Sequence, residues 1–221
     1  MMNRTLSRAG VAAASLAGLL TAAAFASAAD IQLQNMHGAV TYVSYPSGDA
    51  RDVAANASVI VKDDDVAKTG DRSMAAVTLP DSSRVILASN TAIKLDTFDA
   101  ASIAKAHFVV AYGKLRFRVE HPAGAQANYT FTTPTGEIAV RGTEGDISVD
   151  PFDGVRVNVY RLSDPALPVH VNMINGLTFD IPAGQKIWMR WQSGTLVGKV
   201  LPLTQAEIDR FAEFGAPAQS P

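Results

Sequence analysis

Apolar residues recur at every second position through most of this sequence, and that spacing leaves few folds open. Ala75, Val77 and Leu79 alternate with Met74, Ala76 and Thr78; Val85 and Leu87 follow, then Ile93 and Leu95. Further along come Leu115, Phe117 and Val119; Tyr129 and Phe131; Ile138 and Val140; Ile147 and Val149; and Val155, Val157 and Val159. Each run puts one face on a core and the other toward solvent, the pattern of a half-buried β-strand. Turn residues separate the runs: Tyr45-Pro46-Ser47-Gly48-Asp49, Lys68-Thr69-Gly70-Asp71, Pro80-Asp81-Ser82, Pro134-Thr135-Gly136, Pro151-Phe152-Asp153-Gly154 and Pro182-Ala183-Gly184. Strand and turn at short spacing imply an antiparallel sheet, sandwich, barrel or solenoid. Long amphipathic helices between strands are missing, which argues against a βαβ nucleotide-binding architecture.

A single helix is signalled, over residues 204–214. Thr204 and Glu207 have capping-box spacing, Ile208, Phe211 and Ala212 make an apolar stripe, and Gly215 is a stop. The helix is expected to pack on the sheet or cover a strand edge, with peptide docking as the lesser alternative. Ala216–Pro221 reads as a frayed tail.

The first 28 residues read as an export signal. Arg4 and Arg8 form a short positive region, Ala9–Ala29 is uncharged with its apolar centre at Val11–Phe25, and Ala26-Ser27-Ala28 supplies the small residues of a cleavage site before Ala29. An uncleaved anchor is the alternative; the Ala/Ser/Gly-rich run suits a spanning helix less well. The expected organisation is signal peptide 1–28, a β domain 29–195, and an extension 196–221 carrying the helix. Localisation follows as periplasmic or secreted, with no membrane span after cleavage.

Composition excludes several kinds of chemistry. The 221 residues carry a net charge of −2 without a Lys/Arg block, so the footprint of a nucleic-acid binder is missing. Cysteine is absent, which removes disulfides, thiolate nucleophiles, Cys-based metal sites and a lipoprotein anchor. The four histidines, His37, His107, His121 and His170, have no ligand spacing and no neighbouring carboxylate cluster. Asp63-Asp64-Asp65 lacks the glycine-punctuated loop of a calcium site and reads as solvated. No nucleophile elbow or phosphate loop occurs. The expectation is no enzyme, no cofactor and no metal.

From Phe131 to Glu144 the alternation becomes a pattern: Phe131-Thr132-Thr133-Pro134-Thr135-Gly136-Glu137-Ile138-Ala139-Val140-Arg141-Gly142-Thr143-Glu144. This resembles the core of the FecR family, a strand, a Thr-Pro turn, a strand ending in Val-Arg-Gly-Thr, and another strand. Lys68-Thr69-Gly70-Asp71, Ala75–Leu87, Tyr112-Gly113-Lys114-Leu115 (the glycine that opens the next strand) and Ala183-Gly184-Gln185 resemble further family elements in the same order, from about Gly38 to Trp191. The resemblance implies an all-β, twisted, solenoid- or sandwich-like fold of short antiparallel strands with a short C-terminal helix. The signature residues Thr133, Pro134, Arg141, Gly142, Thr143 and Glu144 read as structural. Gly142 is expected at a bend or bulge with positive φ, Thr143 bonded to the turn backbone, and Arg141 bonded to nearby carbonyls.

The sequence also departs from the pattern. Asp81-Ser82-Ser83 stands where the family has Asp-Gly-Ser, and Gly145 stands at an aromatic position, removing a core anchor. Founding members of the family carry a cytoplasmic anti-sigma segment and a membrane span ahead of the domain, and a signalling-like lobe after it. Here the signal peptide and the 30 residues after Trp191 take those places, so direct control of a sigma factor is not expected. What the resemblance implies is a protein-binding module for signalling or scaffolding at the cell envelope, its contacts made by a sheet edge or a hydrophobic patch. The alternative is an envelope glycan-binding module. Trp188 and Trp191 are the candidate binding surface: their odd spacing turns them to opposite faces and leaves one on a surface. Packing at an edge under the C-terminal helix is the plainer reading of the pair.

Overall fold

The computed structural model describes residues 30–99, 105–120 and 127–213, with side chains through residue 210. The expected signal peptide and cleavage site, His121, Gly215 and the expected tail lie outside the described residues. Those residues form seventeen strands and one helix.

The strands make two facing sheets that share one strand. The first sheet runs β4 (Ser58–Val61), β1 (Ile31–His37), β6 (Met74–Thr78), β7 (Arg84–Leu87), β9 (Lys105–Arg118), β12 (Thr143–Asp150), β13 (Gly154–Leu162), β16 (Gln185–Gln192) and β17 (Thr195–Pro202). The second runs β3 (Ala50–Val53), β2 (Val40–Val43), β5 (Val66–Thr69), β8 (Ala92–Asp99), β9, β10 (Asn128–Thr133), β11 (Gly136–Val140), β14 (Val169–Met173) and β15 (Thr178–Ile181). Pairing is antiparallel except between β9 and β10, which run parallel. Neither sheet closes on itself.

The expected architecture is thus present, with one element the sequence does not display. β9 is fourteen residues long. Its first half pairs with β8 and β10, its second half with β7 and β12. Gly113 is the corner between the halves: its φ is +97°, and a Cβ there would lie 2.4 Å from the Thr91 Cα. Only glycine accepts both constraints. The glycine therefore lies inside a strand and does not open one, because that strand leaves one sheet and enters the other.

The alternation lands as the period of two requires. Every core-facing apolar residue of the alternating runs, from Ala75 to Val159, is buried, and both sheets contribute to one core. At its centre Phe131 of β10 lies 5.3 Å from Phe108 in the first half of β9 and 5.1 Å from Phe117 in the second, ring centre to ring centre. Gly145 is not an empty anchor site: a Cβ there would meet the Phe117 ring at 2.5 Å. The aromatic volume is supplied from the neighbouring strand.

Two details refine the sequence reading. β17 pairs with β16 along its whole length, so the first sheet continues to Pro202, into the expected extension. The helix α1 (Gln205–Glu213) then turns back over the outer face of the first sheet. Asp63–Asp65 is a scaffolded turn and not a solvated loop. Asp65 is buried and accepts the Tyr45 and Lys62 N–H groups, Asp64 pairs with Lys94 at 2.6 Å, and Asp63 accepts the Phe98 N–H.

Candidate functional site

The signature residues form two corners. Thr133 ends β10 and donates its hydroxyl to the Gly136 carbonyl at 2.8 Å, with Pro134 exposed between them. Arg141 and Gly142 carry the chain from the second sheet to the first, with Gly142 at φ +74°. Its carbonyl accepts the Ser163 N–H and hydroxyl at 2.8 and 2.7 Å. Glu144 faces Arg118 at 3.3 Å and Arg161 at 4.0 Å, and the register slips between Glu144 and Gly145. Two expected bonds do not form among the described residues. Arg141 points to solvent without a carbonyl partner, and the buried Thr143 hydroxyl has no partner. Ser163 caps the corner that Thr143 was expected to hold.

A gathering of polar side chains lies elsewhere, on the outer face of the first sheet beneath α1. Strand register lines up Arg116, Asp146, Asn158 and Lys186 across β9, β12, β13 and β16. The adjacent row is Lys114, Ser148, Arg156 and Trp188. Tyr160 of β13 donates to Asp146 at 2.8 Å, and the Asn158 amide donates to the other Asp146 oxygen at 3.0 Å. Lys114 stands 4.0 Å from the same carboxylate. Burial raises the Asp146 pKa, against the opposing pull of Lys114, Tyr160 and Asn158. Burial also raises that of Tyr160, helped by the neighbouring Asp146 charge.

Helix α1 roofs this basin through Glu207. Lys186 donates to both Glu207 oxygens, and Thr204 donates its N–H and hydroxyl to one of them at 2.8 Å. Burial opposes ionisation of Glu207, but those hydrogen bonds outweigh it and hold its carboxyl at about 2. A cavity of about 100 Å³ remains under the helix, lined by Lys114, Arg116, Asp146, Arg156, Asn158 and Arg210 among others. The capping-box spacing at Thr204 and Glu207 was legible in the sequence. The basin was not, because its residues meet only through register.

The tryptophans take opposite sides of β16, as their spacing requires. Trp188 is on the outer face, half-buried, with the Arg156 and Arg190 guanidiniums 4.8 and 4.0 Å from its ring centre and its indole N–H donated to the Asp153 carbonyl. Trp191 is 61% exposed near the strand end. α1 ties to Lys186 and Tyr160, so packing under the helix does not account for the pair. Ile174 and Leu177, in the turn between β14 and β15, are also exposed, at 62% and 50%. Asn175 of that turn donates to the Leu196 carbonyl, and Leu196 is the cross-strand partner of Trp191. The turn that carries exposed Ile174 and Leu177 is thus tied to the strand that pairs with Trp191, where β15 and β17 end the two sheets.

Two histidines have carboxylate neighbours that sequence distance concealed. His107 lies between Asp96 at 3.0 Å and Thr132 at 2.8 Å, and His170 lies 2.8 Å from Asp180. Each is a cross-strand pair on a solvent face. Among the described residues no three metal-binding side chains gather, and no helix is long and apolar enough to cross a membrane.

Comparison with known proteins agrees with the fold. A crystal structure of a candidate anti-sigma factor from Parabacteroides distasonis ATCC 8503 is similar at a TM-score of 0.52 and 17% identity, over 66% of this chain and 64% of that one. A second crystal structure with the same description and source gives 0.49 and 18%, over 61% and 58%. The chain thus spans a little under two thirds of the length of the structures it resembles. No curated protein matches it. The family model described as FecR protein matches residues 65–161, the run from β5 to β13 that holds the aromatic centre and both signature corners. Over residues 65–161, then, this chain is similar to the FecR protein family.

Proposed function

We propose that this chain is a non-enzymatic FecR-domain module that works in the periplasm or at the cell envelope by binding another protein, in signalling or in scaffolding. The FecR-family match and the fold likeness to a candidate anti-sigma factor support a signalling-related role. The export signal at residues 1–28 supports the compartment. One observation carries the binding reading: Trp191 is exposed at an end where both sheets stop, and the turn tied to its partner strand carries exposed Ile174 and Leu177. Exposed aromatic side chains at the rim of an unpaired edge suit protein contact, by packing or by strand addition. The test is photo-crosslinking from position 191 in living cells, with position 148 on the basin as control. A discrete envelope protein joined from 191, and lost in a Leu177→Asp background, supports the reading. A folded protein that gives no discrete product from 191 overturns it.

Glycan binding is the second reading, and the same exposed indole favours it. Trp188 does not qualify as a platform, since guanidinium groups already lie over its ring. Trp191→Ala should then abolish retention on peptidoglycan or polysaccharide; unchanged retention removes this reading.

A further inference from the structure

We propose that the basin beneath α1 binds a phosphate group that still carries a P–OH, and that it rejects sulfate. The basin has the charge for an anion. Lys114, Arg116, Arg156 and Arg210 line it, against Asp146 and Glu207; Glu207 is already committed to Lys186 and Thr204, and Arg156 to Asp153, while Lys114 stands 4.0 Å from Asp146. It also holds two acceptors that an ordinary anion site lacks. The Asn158 side-chain oxygen is buried and has no donor among the described residues, on a residue only 8% exposed. Its amide nitrogen is spent on Asp146 and Tyr160, which fixes the oxygen as the free end. The Asp146 carboxylate, 4% exposed, takes one donor on each oxygen and keeps lone pairs in hand.

An unmet buried acceptor is costly, and a ligand that donates to it is favoured accordingly. A bare oxyanion does the reverse, setting lone pair against lone pair beside a carboxylate. The ligand that satisfies both halves of the lining is negatively charged and carries a proton on oxygen. Inorganic phosphate meets that description at neutral pH; a phosphomonoester, whose second pKa is about 6, has mostly lost its P–OH there, and sulfate is fully ionised. The volume of about 100 Å³ suits one such group and a little water, not a sugar ring. This site is independent of the partner contact at Trp191 and stands or falls separately.

Calorimetry on the purified full chain at pH 7 tests it, with inorganic phosphate, glycerol 3-phosphate and sulfate as the three ligands. Phosphate is expected to bind at least about tenfold more tightly than sulfate, the discrimination one hydrogen bond to a charged group provides. Glycerol 3-phosphate, mostly without its P–OH at pH 7, should bind more weakly than inorganic phosphate, and binding as tight as phosphate's overturns the proposal. Asp146→Asn turns an acceptor into a potential donor, so phosphate and sulfate should converge in affinity. Lys114→Met should weaken both anions about equally and leave their ratio unchanged. Equal affinity for the two anions in the wild type, no binding of phosphate, or a preference that survives in Asp146→Asn overturns the proposal.

Discussion

Lys186 on β16 donates to both carboxylate oxygens of Glu207 on α1, at 2.6 and 2.8 Å, and both side chains are mostly shielded from water. Among the described residues this pair, with the Tyr160 hydroxyl on the Glu207 carbonyl, ties the C-terminal helix to the sheet. Lys186→Met should cost about 1–3 kcal/mol, the usual range for a hydrogen bond to a charged group. Amide exchange in residues 205–213 should rise while exchange in β13 and β16 stays slow. Equal protection in the variant would show that the helix is held by something else.

Acid should release the same helix. The Glu207 carboxyl is held at about 2, below the ordinary glutamate value of 4.5. A carboxylate lowered on folding contributes its full stability above the ordinary value and loses it as pH falls toward the lowered one. Exchange in α1 should therefore rise between about pH 4.5 and 2, before the core opens. Lys186→Met should flatten that dependence, which a pH series of exchange rates on both proteins would reveal.

Asp146 has the opposite sign. Burial raises its pKa, so the folded protein holds that proton more tightly than the unfolded chain does, and the ionised carboxylate costs stability above the ordinary aspartate range. Asp146→Asn should melt no lower than the wild type at pH 7. Any advantage should shrink as pH falls and the wild-type carboxyl takes up its proton. A large loss of stability at pH 7 would show that the charge itself is needed.

Gly113→Ala should be among the most damaging single-methyl changes in the molecule. The methyl would meet the Thr91 backbone at 2.4 Å, in a conformation at φ +97° that side chains resist. A loss of about 3 kcal/mol or more is expected in urea unfolding. An effect below about 1 kcal/mol would mean that β9 turns between the sheets in some other way.

Ser82→Gly should stabilise the protein. Ser82 is exposed and sits at φ +71°, in the turn where the family places glycine. Asp81 holds that turn from beside it, accepting the Ser83 N–H and the Tyr129 hydroxyl, so the substitution removes strain without removing a contact. The gain should be about 0.5–1 kcal/mol, after the entropy that glycine adds to the unfolded chain.

The sequence carried the strands and the turns between them, because both are local. Side chains alternate across any extended backbone, so buried Val85 and Leu87, or Ile147 and Val149, declare a strand without reference to its partner. Positive φ at Gly142 was readable for the same reason, since it is a property of a few adjacent residues. The opposite faces of Trp188 and Trp191 followed from parity alone.

Register, sheet membership and cover were decided only in three dimensions. Val149 meets Gly113 and Asn158 meets Lys186 across the sheet, although nothing near either residue names its partner. Which runs share a sheet depends on corners such as Gly113, and the basin exists because register brings four strands into line and α1 folds back over them. Phe117 filling the space beside Gly145 is likewise a matter of two strands touching, not of either sequence. Backbone geometry repeats every two residues and so is written along the chain; pairing between distant strands is selected by the packing of the whole core, which no short stretch contains.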